Sequence, residues 1–210
     1  MQKSSDQKKV KNKKQRIAIF ASGAGSNAKK IIEHFRNSTI IKVALIVCNK
    51  PNAGVLNIAI AYNIPFILVD KERFFHGDHY IDEFKKEEID FIILAGFLWK
   101  LPTALIKIYP NRIINIHPAL LPKYGGKGMY GQFVHEAVIK AEEKESGITI
   151  HFVDELYDHG KHIFQVTCPV LPNDTPQILA QRIHQLEYEY FPKVIEEVIT
   201  NEMNSSKKSL

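Results

Sequence analysis

Apolar residues along this chain fall into two alternating rhythms. Residues 16–21 (RIAIFA) form a β-rich apolar run that ends in the small, polar stretch Ser22-Gly23-Ala24-Gly25-Ser26-Asn27. From residue 27 to 35 the apolar side chains Ile31, Ile32 and Phe35 recur at helical spacing, so the opening reads as strand, glycine turn, helix. The alternation then continues with a strand over 40–47, a helix over 53–62, a strand over 64–69 after a turn at Asn63, a helix over 80–88 and a strand over 90–95. The last of these, DFIILA, has the unbroken apolar character of a strand buried on both faces. Beyond it the pattern predicts a short helix over 101–108 with Pro102 in its first turn. A strand over 112–116 then runs into His117-Pro118, and a glycine-rich loop follows over 122–131. A helix over 132–143 and strands over 147–153 and 163–170 come next. A long helix is predicted from Asp174 to about Ile199, broken or kinked at Pro192.

Strands alternating with helices predict an α/β fold. The expected architecture is a single-domain, mostly parallel, Rossmann-like twisted sheet with helices on both faces. In such sheets ligands bind beyond the carboxyl ends of the strands, near the switch in strand order. Functional residues should therefore follow strands directly. No internal repeat or second domain is visible. The catalytic domain is expected over 16–203, between a disordered tail over 1–15 and a frayed end over 204–210.

Composition narrows the class. With 210 residues and 45% hydrophobic content, the chain suits one well-packed domain. It has no apolar run of about 18 residues and no secretory-type leader. Cys48 and Cys168 are isolated, which argues against a disulfide framework or a zinc site and for a reducing, cytoplasmic setting. The net charge of +5 hints at nucleic acid, but residues 1–16 hold seven basic side chains against Asp6 alone. The remaining chain is close to neutral, so the basicity belongs to a solvated tail and no nucleic-acid or membrane partner is expected. A tail that binds RNA is the competing reading.

Three stretches carry chemistry. In Ser22–Asn27 the glycines admit a tight turn and close approach of a ligand to the main chain. The following helix directs free N–H groups at that spot, which favours a phosphate. The stretch matches neither GxxxxGK[ST] nor GxGxxG, which disfavours an NTPase loop or a dinucleotide site. The second stretch, Asn115-Ile116-His117-Pro118, lies at a strand end, where residues two apart share a face. Asn115 is a neutral donor that suits a developing oxyanion, and His117 can move a proton near neutral pH, so together they suit acyl transfer. The third, His151–Gly160, places an acidic loop after a strand. There Asp154, Glu155 or Asp158 could orient an imidazole and favour its charged form. Its spacing fits neither HExxH nor an EF-hand, so no metal is expected. With no GxSxG elbow and no cysteine nucleophile signature, direct attack by a substrate amine fits better than a covalent enzyme intermediate.

In this order the three stretches resemble the folate-dependent formyltransferase superfamily, whose signature is Asn-x-His-Pro at a strand end with an aspartate further along. The similarity covers about residues 16–195. It is also carried by 94–101 (LAGFLWKL), 115–124 (NIHPALLPKY), and Glu187 with Pro192. It implies transfer of a formyl group from 10-formyltetrahydrofolate to a small-molecule amine. Within the superfamily the chain is most similar to the branch that formylates 5'-phosphoribosylglycinamide in de novo purine biosynthesis. The roles it implies are catalysis by Asn115, His117 and Asp158, a phosphate cradle from Gly25, Ser26 and Asn27, and acceptor binding by Glu187. Folate contacts are implied for Leu98, Trp99, Lys100, Leu101, Asn115, Asp154 and Glu155. A monomer or homodimer is expected. The alternative is a formyltetrahydrofolate deformylase or another folate-dependent formyltransferase. The chain departs from the family pattern at Gly125, where proline is frequent, and over 159–162. The family's folate-contacting arginine has no counterpart near Gly77.

Overall fold

The computed structural model describes residues 13–75 and 80–208. Residues 1–12 of the expected tail and the position near Gly77 lie outside the described residues. The elements in chain order are β1 (Gln15–Ala21), α1 (Ser26–Phe35), β2 (Ile41–Cys48), α2 (Gly54–Ala61), β3 (Phe66–Leu68), α3 (Lys71–Phe75) and α4 (Ile81–Lys86). They continue with β4 (Phe91–Leu94), α5 (Thr103–Ile108), β5 (Ile113–His117), α6 (Gln132–Lys140), β6 (Glu145–Phe152), β7 (His162–Pro169) and α7 (Pro176–Lys208). The seven strands form one sheet in the order β3-β2-β1-β4-β5-β6-β7. Pairs from β3 to β5 are parallel, while β6 pairs antiparallel with both β5 and β7.

Period-two alternation explains why the sheet is covered on both sides. In β1, Ile17, Ile19 and Ala21 enter one apolar cluster, together with residues of α1, α2 and α7. Ala18 and Phe20 enter the other, together with Phe74, Phe84 and Leu105 from α3, α4 and α5. Strand β4 divides its residues in the same way, which is why DFIILA carries no polar position in its middle. The chain order reverses between β1 and β4, so the sheet's switch point lies at the ends of these strands, beside Ser22 and Ala95.

Several boundaries differ from expectation. Strand β3 is only three residues long, and its edge side chains Phe66 and Leu68 are exposed. The short helix α3 has no counterpart in the sequence reading, because five residues carry too little periodicity to register. Lys13 and Lys14 are tied down by Glu88 Oε1 at 2.7 Å and the Ser38 carbonyl at 2.6 Å, and Gln15 already belongs to β1. The final helix runs through Pro192 to Lys208 instead of fraying at residue 204. Val198, Ile199 and Met203 pack against the core, and Glu202 pairs with Arg112. Packing of this kind outweighs the weak intrinsic preference of a polar helix end.

Candidate active site

At the switch point the chain leaves β1 at Ala21 and turns into α1. Ser22 is buried there and joins two segments. Its N–H donates to the Gly96 carbonyl at 3.0 Å, and its Oγ accepts from the Leu98 N–H at 2.9 Å. Gly25 precedes α1 with φ of 80°. An added Cβ would lie 2.8 Å from the Val55 Cα, so both the left-handed backbone and the close passage of α2 require glycine. The first intrahelical bond from Gly25 is Lys29 N–H to its carbonyl at 2.8 Å. That leaves the amides of Ser26, Asn27 and Ala28 ahead of the helical ladder, and no acidic side chain occupies the first turn. These are the properties of an anion site.

Strand β5 delivers the second group. Asn115 lies opposite His151 of β6 in the antiparallel register. The His151 Nδ1 donates to the Phe152 carbonyl at 2.8 Å, so its Nε2 accepts from Asn115 Nδ2 at 3.0 Å. This bond fixes the orientation of the Asn115 amide. His117 is 3% exposed. Its Nε2 donates to the Tyr124 carbonyl at 2.7 Å, which turns Nδ1 toward Asp158 Oδ2 at 3.6 Å. The other carboxylate oxygen, Asp158 Oδ1, lies 3.7 Å from His151 Nε2. One carboxylate therefore faces two buried imidazoles.

Asp158 itself has φ of 51°, a left-handed conformation that aspartate tolerates better than most residues. Its Oδ2 accepts from the Gly126 N–H at 2.9 Å. Gly125 is the residue next to that N–H, and the resemblance implied a proline in its place. A Cβ there would meet Leu121 Cδ2 at 2.5 Å and Asp158 Cβ at 3.3 Å, so this loop is packed directly against the carboxylate.

The electrostatics separate the pair. Burial pushes the Asp158 carboxyl up, but the His151 contact, the His117 charge and the Gly126 N–H outweigh it and hold the value below the usual carboxylate range. Burial also dominates at His117 and lowers its pKa, although Asp158 pulls in the opposite direction. The expectation that a carboxylate would favour imidazolium is therefore met only in part. These directions favour an ionised Asp158 beside a neutral His117 at pH 7.

Both groups open into one cleft of about 770 Å³ that also takes in Ser22–Asn27, Phe97–Leu101, Lys50 and Glu187. Glu187, on α7, is 5% exposed. Its Oε2 accepts from Asn27 Nδ2 at 2.9 Å and from His184 Nδ1 at 2.9 Å, and the first of these joins residues 160 apart in sequence. The bond to Glu187 raises the His184 pKa. Of the folate residues implied by resemblance, Leu98, Trp99, Lys100, Leu101, Asn115 and Asp154 line the cleft. Glu155 does not. Asp154 Oδ1 accepts from the Leu156 N–H at 2.9 Å, and this local turn leaves Glu155 exposed to solvent. Sequence reasoning did not assign roles to His151, Ser22 or the Tyr124 carbonyl. His151 was visible in the acidic-loop motif, but only the β5–β6 register shows what it holds. A second recess of about 710 Å³, beside Pro110, Arg112 and Glu202, lies at the opposite ends of the strands. Its charged groups neutralise each other.

The chain is 39% identical over 189 residues to phosphoribosylglycinamide formyltransferase, chloroplastic, of Arabidopsis thaliana, covering 87% of this chain and 65% of that protein. The Vigna unguiculata protein of the same name is 40% identical over 88% of this chain and 61% of its own length. The chain thus spans less than two thirds of these plant relatives. The phosphoribosylglycinamide formyltransferase of Bacillus subtilis is 34% identical, with 88% of this chain and 94% of that one covered. The crystal structure of phosphoribosylglycinamide formyltransferase from Anaplasma phagocytophilum superimposes with a TM-score of 0.82 at 31% identity, covering 90% and 88% of the two chains. No helix among the described residues is long and apolar enough to cross a membrane. Residues 15–195 match the Formyl transferase family, and the chain belongs to that family.

Proposed function

We propose that this chain transfers the formyl group of 10-formyltetrahydrofolate to the amine of 5'-phosphoribosylglycinamide. The observation that carries the reading is the convergence of Asn115, His117 and Asp158 in one cleft that continues to the anion-binding turn. The relatives' names point to the same reaction. Gly25, Ser26 and Asn27 hold the acceptor's phosphate, and Glu187 holds the part of the acceptor next to it. The donor lies against Leu98–Leu101 and the loop that carries Asp154 and Asp158, and no metal takes part.

The acceptor amine attacks the formyl carbon, and the carbonyl oxygen becomes an oxyanion. Asn115 Nδ2 has one hydrogen committed to His151, and the other serves the oxyanion. His117 is neutral before reaction, and the oxyanion forming beside it adds to the pull of Asp158. The ring therefore takes up a proton from water as charge builds on the oxygen and returns it when the oxyanion collapses to the product amide. A water ordered by Asp158 carries the proton from the attacking nitrogen to N10 of the donor, whose bond to the formyl carbon then breaks. The orientation of the Asn115 amide and of the His117 ring is set before substrate arrives, and such preorganisation makes this kind of site effective. We place the reaction in the cytoplasm, supported by two buried, unpaired cysteines, Cys48 and Cys168, and expect a monomer or homodimer with no nucleic-acid partner. The test is a spectrophotometric assay of tetrahydrofolate formation. Release that depends on 5'-phosphoribosylglycinamide supports the reading, and equal release without it rejects the transfer.

A further inference from the structure

One histidine in the cleft has a buried ring nitrogen with no partner among the described residues. His135 on α6 is 2% exposed and lines the cleft, yet its Nδ1 is buried without any hydrogen bond. Buried polar atoms are nearly always paired, because an unpaired one has lost its water and gained nothing in return. The Asn27 Oδ1 is in the same condition, and both residues line the same cleft.

The surroundings of His135 narrow its use. The charges that act on it are those of His184, Glu187 and His117, which places it between the catalytic pair and the phosphate end of the cleft. Burial is the largest influence on the ring. Together with His184 it lowers the pKa to about 4, against an opposing pull from Glu187. A ring that stays neutral is a poor phosphate ligand and a good partner for a hydroxyl or amide group. Packing does not call for histidine here. Its neighbours on the buried face of α6 are Val134 and Val138, so an aliphatic residue would fill the position without leaving an unpaired nitrogen.

We propose that His135 is a further acceptor-binding residue, whose Nδ1 hydrogen-bonds to the part of the acceptor lying between its phosphate and its amine and so sets the amine against Asn115 and His117. This rests on the formyl-acceptor reading above. It makes an unusual prediction, because a binding residue kept at the expense of stability behaves oppositely to a packing residue when replaced by leucine.

The experiment titrates 5'-phosphoribosylglycinamide, and separately tetrahydrofolate, into the full chain by calorimetry, with thermal melts of the ligand-free proteins alongside. His135→Leu is expected to melt at or above the wild-type temperature and to bind the acceptor about tenfold more weakly. Its tetrahydrofolate affinity should be unchanged. His135→Asn, which keeps a polar atom near the Nδ1 position, should recover acceptor affinity relative to leucine. Wild-type acceptor affinity in His135→Leu overturns the inference, as does a leucine variant that melts well below wild type or does not fold. If the wild-type chain binds tetrahydrofolate but not the acceptor, the formyl-acceptor reading fails and this inference with it. Acceptor binding by wild type and His135→Leu alike removes this inference alone.

Discussion

Replacing Asp158 by asparagine tests the electrostatic core of the proposed reaction. The two side chains have nearly the same shape, and the asparagine oxygen can still accept from the Gly126 N–H that now bonds Asp158 at 2.9 Å, so the loop should persist. What disappears is a negative charge 3.6 Å from His117 Nδ1. Both groups are largely sheltered, with 4% and 13% of their side chains exposed, so solvent screening is slight. Two unit charges at about this distance interact by roughly 4 kcal/mol at the effective dielectric that best describes protein sites. That interaction exists only once His117 gains a proton, so its loss falls on the transition state. The asparagine dipole restores a fraction, leaving about 3–4 kcal/mol, or a fall in kcat of roughly two to three orders of magnitude. Binding of both substrates precedes that charge, so neither KM should move more than a few-fold. The assay is steady-state tetrahydrofolate formation with each substrate varied at saturating concentration of the other. A kcat within threefold of wild type, in a variant with an unchanged melting temperature, would refute the pairing of His117 with Asp158.

The other predictions use different parts of the cleft. Asn115→Ala removes an oxyanion donor and should lower kcat by about a hundredfold or more, roughly 3 kcal/mol; near-normal turnover in stopped-flow single-turnover experiments would remove Asn115 from catalysis. Asn27→Ala breaks the 2.9 Å bond to buried Glu187 and should raise the acceptor KM by about tenfold with little change in kcat, as expected for a hydrogen bond to a charged group. A change in the donor KM alone would contradict the placement of the phosphate end. Stability should fall with acidity. The His135 pKa is lowered to about 4 in the folded chain, below its unfolded value near 6.5. Protonation from pH 6.5 downward therefore favours the unfolded state, by about 3 kcal/mol at pH 4. His117 shifts in the same direction. Denaturation curves at pH 7.5 and 4.5 should show that loss, and His135→Leu should reduce it. Equal pH dependence in both proteins would show that His135 titrates normally.

The sequence by itself determined the layers of this protein. Period-two and period-3.6 repeats are local, so the strand, turn and helix at residues 15–35, the doubly buried β4 and the covered sheet were legible without coordinates. The residues of Asn115-Ile116-His117-Pro118 were legible too, because a polar amide and imidazole two apart at a strand end share one face. Local pattern could not give the short α3 or the length of α7, since both depend on what they pack against. Nor could it give the partners that orient the chemistry. His151 holds Asn115 because β6 runs antiparallel to β5 in one particular register. Glu187 reaches Asn27 from the far end of the chain. Asp154 turns its own backbone and leaves Glu155 in solvent. Tertiary structure also decided the charge states. Sequence proximity suggested that a carboxylate would favour a protonated imidazole, but desolvation depends on how deeply a ring is enclosed, and at His117 it is the larger effect.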